Sequence, residues 1–230
     1  MGLADIAFPL RLSLQVALLA TAGCALVGIP VAYLLATREF RGKPVADVLV
    51  MLPLVLPPVV TGYLLLVSFG RQGPIGGFLY DWLGITFSFR WTGAALAAAV
   101  MAFPLMLRAI RLSFEIIDRR FESAASTLGA GPIATFFTVT LPLAAPGILV
   151  GIILGFAKAL GEFGATITFV SNIPGETQTI ALAIHSYTQA PGGDAGTIRL
   201  AVVSIIIALT AVIASEALSQ RLLKRTSVFQ

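Results

Sequence analysis

Long apolar segments are the feature that most constrains what this chain can fold into. A helix needs about 20 apolar residues to cross a bilayer, and four segments suit that length: Leu12–Thr37, Ala46–Phe69, Pro142–Leu160 and Thr197–Leu218. A fifth, Trp91–Leu107, has 17 residues and begins with tryptophan, which is enriched at membrane interfaces. All five exceed the roughly 10-residue strands of membrane barrels. The sequence therefore predicts an all-α membrane protein, a polytopic bundle of five transmembrane helices.

The composition excludes an ordinary soluble domain. Residues 1–230 are 57% hydrophobic and only 11% charged, whereas about a quarter of the residues of soluble domains are charged. We expect the whole chain to form a single transmembrane domain with short connections. One further apolar run, Ile75–Phe89, is interrupted by three glycines and by Asp81. It is predicted to be an interfacial or re-entrant segment or an ordinary amphipathic loop, and six spans are the alternative to five.

Lysine and arginine are distributed unevenly between the connections. With five spans, ten of the fifteen fall on one side: Arg38, Arg41, Lys43, Arg108, Arg111, Arg119, Arg120, Arg221, Lys224 and Arg225. Basic residues are retained in short cytoplasmic loops, so we expect the amino terminus outside and the carboxyl terminus in the cytoplasm. This asymmetry accounts for the net charge of +4 without a nucleic-acid partner.

The connection between the third and fourth spans, about residues 115–142, carries a recognisable pattern. It includes FESAASTLGAGPIATFFTVTLP at 121–142. Its small and apolar residues recur at helical spacing, which predicts a short helix over Glu122–Leu128. Gly129 would end that helix, because glycine accepts the left-handed conformation found at helix ends. Pro132 would begin a second short helix, and the alanines and glycine would leave a shallow surface that another protein can approach closely.

The spacing of this connection resembles the cytoplasmic loop of bacterial ABC-importer permeases. That loop usually reads Glu-Ala-Ala, three residues, Gly, nine residues, Ile-x-Leu-Pro, and here Ala124, Ala125, Gly129 and Val139 to Pro142 stand at the matching positions. Ser123 occupies the usual position of the glutamate, and the acid Glu122 precedes it by one residue. The resemblance implies a type I ABC importer permease fold in the bacterial inner membrane. It also implies a set of ATPase-contact residues: Glu122, Ser123, Ala124, Ala125, Leu128 and Gly129.

Three further segments narrow the resemblance. LPLVLPPVVTGYLLL (52–66), AFPLMLRAIRLSFE (102–115) and LGEFGATITFVSNIPGET (160–177) are similar to the molybdate importer permeases, and less so to their sulfate-transporting relatives. The resemblance implies import of molybdate by two copies of the chain, each with a cytoplasmic ABC ATPase, and delivery by an external oxyanion-binding protein. The alternatives are a sulfate or tungstate permease and, in a different class, an ion-coupled secondary carrier or channel.

The sequence shows no recognisable motif for nucleotide binding, metal binding or catalysis. It contains no G-x-x-x-x-G-K-[ST] phosphate-binding loop, so ATP and Mg²⁺ are expected in the partner ATPase and no cofactor in this chain. His185 is the only histidine and has no second histidine or cysteine nearby, so no metal site is predicted, and no residue pair indicates hydrolytic or redox catalysis. A long connection, about 171–196, would either receive the external binding protein or form a solvent-facing cap, with a short helix at Thr177–Gln189.

Prolines in the second span predict one part of the translocation pathway. Pro53, Pro57 and Pro58 each remove a backbone donor and obstruct the preceding turn, so this span should bend and free some carbonyls. A bend at Pro57 and Pro58 would either line a pathway or only assist packing. The resemblance favours a pathway, because the corresponding spans of the family border a central channel.

A pair of charges near the end of the fourth span predicts a second part of the translocation pathway. Lys158 and Glu162 are four residues apart and would share a helical face if that span continued so far. Charges within a membrane are costly and usually paired. They would form an ion pair, with or without an additional attraction of Lys158 for a passing anion. Gly161 and Gly164 would allow the backbone to bend there as a gate.

Overall fold

The computed structural model describes the backbone of residues 3–226 and the side-chain surroundings of residues 6–213. Its eleven α-helices within that range are α1 Leu3–Thr37, α2 Lys43–Val55, α3 Pro58–Phe69, α4 Pro74–Leu83, α5 Trp91–Glu115, α6 Arg120–Thr127, α7 Pro132–Thr135, α8 Leu141–Leu160, α9 Gly164–Val170, α10 Ile180–Gln189 and α11 Asp194–Thr226. A π-helical segment, Phe136–Thr140, joins α7 to α8. The described part of the chain is thus helical with no strand, which confirms the all-α prediction.

Four helical segments are long and apolar enough to cross a membrane: Ile6–Thr37, Trp91–Glu115, Pro132–Leu160 and Asp194–Ile213. A bent pair, α2 with α3, supplies a fifth span if the two count as one. The polytopic helical bundle is therefore confirmed. The described residues contain no sixth helix of spanning length, because the run Ile75–Phe89 forms only the ten-residue α4 and an irregular connection.

Helices α1, α5 and α8 form the core of the bundle. α5 presents a run of buried alanines, and α8 carries glycine at every fourth position over Gly147, Gly151 and Gly155. A Cβ atom added at Gly151 would lie 2.6 Å from a side-chain carbon of Ile110. Only glycine permits this approach, in the way that small residues at four-residue spacing bring membrane helices together.

The predicted second span, Ala46–Phe69, is not one helix. α2 ends at Val55, α3 begins at Pro58, and their axes differ by 110°. Consecutive prolines at 57 and 58 explain the break, because neither can donate to the carbonyl four residues earlier, at Pro53 or Leu54. The sequence predicted a bend in a continuous helix, and the structure has two helices instead.

The fourth span begins earlier than predicted. It runs from Pro132 through the π-helical segment to Leu160, so the second short helix predicted from Pro132 is its first turn. Pro142 lies inside this span, just after the π-helical segment, and has no N–H to donate the α-helical bond to the Thr138 carbonyl. The backbone accommodates the loss by i to i−5 pairing, in which the Leu141 N–H donates to the Phe136 carbonyl.

Candidate functional site

The helix that the sequence places before Gly129 is α6. It begins at Arg120, two residues before the predicted start, and Leu128 caps its end. Gly129 has φ +89°, the left-handed conformation expected of it. The Gly129 N–H donates to the Ser126 carbonyl and the Ala130 N–H to the Ala125 carbonyl, both at 3.0 Å. These two bonds form a Schellman motif, which satisfies carbonyls at the helix end.

The surface of α6 is open, and none of its residues is buried. Ser123, Ala124 and Gly129 are exposed, and the Leu128 side chain is 89% exposed. A Cβ atom at Gly129 would meet no atom within 4 Å. This surface is therefore open to contact with another protein.

Two apolar side chains at the start of the fourth span are also exposed, and the sequence did not predict them as contact residues. Ile133 is 75% exposed and Phe137 is 60% exposed. They are four residues apart at the start of the fourth span, so they share a helical face. Their spacing was visible in the sequence, but the span was expected to begin only at Pro142.

Glu122 differs from the other predicted contact residues because its carboxylate is directed into the protein. The side chain is partly buried, and its Oε1 accepts a 2.7 Å hydrogen bond from the Thr140 hydroxyl. Thr140 is only 2% exposed and ends the π-helical segment. A role of Glu122 at a protein contact remains a prediction, and its observed partner lies within the chain.

Lys158 and Glu162 form an ion pair, although α8 ends at Leu160 and they do not share a helix. The Lys158 Nζ lies 3.2 Å from Glu162 Oε2, and the two side chains are 31% and 2% exposed. The other carboxylate oxygen of Glu162 accepts a 3.0 Å hydrogen bond from the Ala165 N–H, in the first turn of α9. Glu162 therefore both neutralises Lys158 and satisfies a free donor at a helix start.

Tertiary packing brings the two predicted pathway features together. A Cβ atom at Gly164 would lie 2.7 Å from the Pro58 Cβ, and one at Gly62 would lie 2.8 Å from the Thr168 Cβ. α9 thus packs directly on the start of α3, beside the break between α2 and α3. Gly161 is exposed and makes only ordinary contacts, so the close packing depends on Gly164 and not on Gly161.

The ion pair lies near the middle of the bundle along its length. α8 runs antiparallel to α5, and Gly155 faces Met106. Lys158 is three residues further along α8, which places it level with Phe103, close to the midpoint of the 25-residue α5. α5 is about 37 Å long at 1.5 Å per residue. The break between α2 and α3 and the break between α8 and α9 therefore meet at mid-bundle depth, beside the partly exposed Lys158.

The connection predicted at 171–196 is folded. α10 begins at Ile180, three residues after the predicted Thr177, and the Ile180 N–H donates to the Ser13 hydroxyl of α1 at 2.7 Å. His185 contacts the Phe163 ring at 5.0 Å between centroids. Within the described residues, no group of three His, Cys, Asp or Glu side chains is arranged to hold a metal ion.

A family model describes this architecture. Residues 28–224 match the binding-protein-dependent transport system inner membrane component family. The chain belongs to this family. It is therefore a multi-pass inner-membrane permease component, as its helical spans require.

Its relatives include permease proteins of molybdenum transport systems. The chain is 58% identical to the ModB permease of Escherichia coli strain K12 over 91% of both chains. It is 55% identical to ModB of Haemophilus influenzae over 94% of both, and 43% identical to ModB of Azotobacter vinelandii over 79% of this chain and 80% of that one.

Solved structures share the fold at low sequence identity. A chain of the MetNI methionine ABC transporter superposes with a TM-score of 0.77 at 15% identity, covering 96% of this chain and 99% of that one. A chain of a bacterial ABC transporter for alginate gives 0.73 at 15% identity, covering 94% and 79%. The type I importer permease fold predicted from the sequence is thereby confirmed.

Proposed function

We propose that this chain is the membrane-spanning subunit of an ATP-driven importer that carries molybdate into the cell. The observation that carries this proposal is the 58% identity to a molybdenum transport permease over nine-tenths of both chains. Substrate specificity among tetrahedral oxyanions of equal charge depends on small differences in size. Tungstate and sulfate are therefore the competing substrates, and the external binding protein is expected to select among them.

Two copies of the chain would assemble with two cytoplasmic ATPase subunits, which bind ATP and Mg²⁺. The proposed contact is formed by the exposed residues Ser123, Ala124, Leu128 and Gly129 together with the half-buried Ala125, because this surface is open and close to the start of α8. This arrangement requires the amino terminus outside and the carboxyl terminus in the cytoplasm. The connection at 171–196 then lies outside, where an oxyanion-binding protein can reach it.

The proposed pathway passes the mid-bundle meeting of α3, α8 and α9. Pro57 and Pro58 are exposed on this chain, so a facing second copy would enclose them in a shared channel. Lys158 supplies one partly exposed positive charge at that depth, while Glu162 keeps the local field weak. A weak field suits a pathway, because a tight anion site would slow release. Gly164 lets α9 pack on Pro58 and is the proposed pivot of the gate.

Reconstitution tests the proposed function. The permease, its ATPase and its binding protein are placed in proteoliposomes with labelled molybdate, and uptake is measured with ATP, without ATP and without the ATPase. We expect uptake only in the complete system, with tungstate competing more strongly than sulfate. Uptake driven by an ion gradient without the ATPase would instead establish a secondary carrier, and ATP-driven uptake of sulfate alone would establish the sulfate alternative.

A further inference from the structure

The attachment of α6 to the rest of the molecule depends on very few contacts. α6 has no buried residue, and the elements packed against it are α7 and the π-helical segment. Three of its hydroxyl side chains, those of Ser123, Ser126 and Thr127, donate to carbonyls of the same helical stretch. Glu122 is different because its carboxylate bonds across 18 residues to Thr140.

The Glu122–Thr140 bond is protected from solvent on the side of Thr140. The Thr140 hydroxyl belongs to a residue that is 2% exposed, and the bond length is 2.7 Å. Hydrogen bonds to ionised groups are shorter and stronger than those between neutral groups. A cavity of about 90 Å³ lies beside the bond, bounded by Thr37 of α1 and Phe114 of α5. Glu122 and Thr140 thus line a small cavity, so packing around their bond is incomplete.

The two ends of the π-helical segment are attached to different parts of the molecule. Phe136, at its start, is anchored by Tyr33 of α1, with ring centroids 4.8 Å apart. Thr140, at its end, continues directly into α8, whose glycines hold it closely to α5. π-helical turns within α-helices occur frequently at functional sites. Phe136 is thus held by α1, whereas Thr140 at the other end of the segment bonds to α6.

We propose that the Glu122–Thr140 hydrogen bond mechanically links α6 to α8 during transport. Through this bond, displacement of α6 would be transmitted to α8 and to the ion pair at the other end of that helix. The proposal rests on the proposed function and refines it, because it removes Glu122 from the ATPase contact and makes it a positioning residue. Docking then depends on the exposed residues of α6, and coupling depends on the Glu122–Thr140 bond.

The test compares two substitutions within the π-helical segment. Thr140→Val removes the hydroxyl that bonds Glu122, while Thr138→Val removes an exposed hydroxyl that donates only to the Ala134 carbonyl of its own helix. In proteoliposomes with ATPase and binding protein, we expect Thr140→Val to retain the bound ATPase and to hydrolyse several times more ATP per molybdate imported. Thr138→Val should match the wild type.

Substitutions of Glu122 distinguish an internal link to Thr140 from a contact with the ATPase. Glu122→Gln keeps an oxygen that accepts from Thr140 and should retain most coupling, whereas Glu122→Ala should uncouple to the same extent as Thr140→Val. The double variant Glu122→Ala with Thr140→Val should be no worse than either single variant, because both remove one bond. Loss of ATPase from purified Glu122→Ala, or a wild-type ratio of ATP to molybdate in Thr140→Val, would overturn the proposal.

A second measurement does not depend on transport. Hydrogen–deuterium exchange of the amides at 136–140 should be faster in Glu122→Ala and Thr140→Val than in the wild type or Thr138→Val, because the bond restrains that segment. Unchanged exchange in both variants would show that the bond restrains nothing. Failure of the wild-type complex to import molybdate would refute the proposed function. Hydrogen–deuterium exchange would still show whether the Glu122–Thr140 bond restrains the π-helical segment.

Discussion

Lys158 and Glu162 are the residues whose charges are most costly to hold at mid-bundle depth. Glu162 is 2% exposed and has two partners, the Lys158 ammonium and the Ala165 N–H. Removal of one member of such a pair leaves an uncompensated charge, whereas removal of both is often tolerated. Comparison of single and double substitutions of this pair can therefore distinguish a structural role from a direct effect on the anion.

Lys158→Met is expected to destabilise the chain by less than the roughly 3–5 kcal/mol typical of broken buried pairs, because Lys158 is 31% exposed and the Ala165 N–H still serves Glu162. Combination with Glu162→Gln should restore thermal stability and assembly, since the amide oxygen can accept from Ala165. We expect a modest loss of molybdate uptake in this double variant, and much less loss in Lys158→Arg. Wild-type uptake by the double variant would eliminate attraction of the anion by Lys158.

At the scale of the element, α6 and its glycine end determine what can dock. Gly129→Leu places a side chain in the left-handed conformation, which costs about 1–2 kcal/mol, and fills the open surface beside Leu128. We expect the variant to insert normally but to lose ATPase subunits on purification. Gly84→Leu is the matched control, because Gly84 also has positive φ and open space but ends α4 instead. Wild-type ATPase stoichiometry and uptake in Gly129→Leu would refute a contact at this loop.

At the scale of the whole molecule, the basic residues of separate connections gather at one end of the bundle. Arg111 near the end of α5 forms a 2.6 Å ion pair with Asp47 near the start of α2 and a 2.7 Å ion pair with Glu115. These bonds place the connection at 38–42 beside the one that carries α6. The distribution of basic residues then predicts that this end faces the cytoplasm.

Cysteine labelling tests that orientation. Cys24 is buried and would be replaced by alanine, after which single cysteines are introduced at the exposed positions Ser126 and Gln72. A membrane-impermeant maleimide added to intact spheroplasts should label Gln72→Cys and should reach Ser126→Cys only after lysis. The reverse pattern would invert the proposed topology and remove α6 from the side on which ATP is available.

Properties that depend on neighbouring residues followed from the sequence alone. The apolar runs predicted the helical bundle, Gly129 predicted the end of α6, and Pro57 with Pro58 predicted a disturbance of the second span. Each depends on local backbone chemistry: helix length against bilayer thickness, tolerance of positive φ, and the absence of a proline N–H. The family resemblance supported the same fold and its type of partner.

Only the tertiary structure decided how these features combine. The 110° turn between α2 and α3 is held by α9, where Gly164 packs on Pro58, a residue more than 100 positions away. Glu162 lies two residues after the end of α8 and accepts a hydrogen bond from the Ala165 N–H in the first turn of α9, and Glu122 accepts one from Thr140 at the end of the π-helical segment. Sequence spacing cannot supply such contacts, since they depend on how separate helices pack and on where each helix stops.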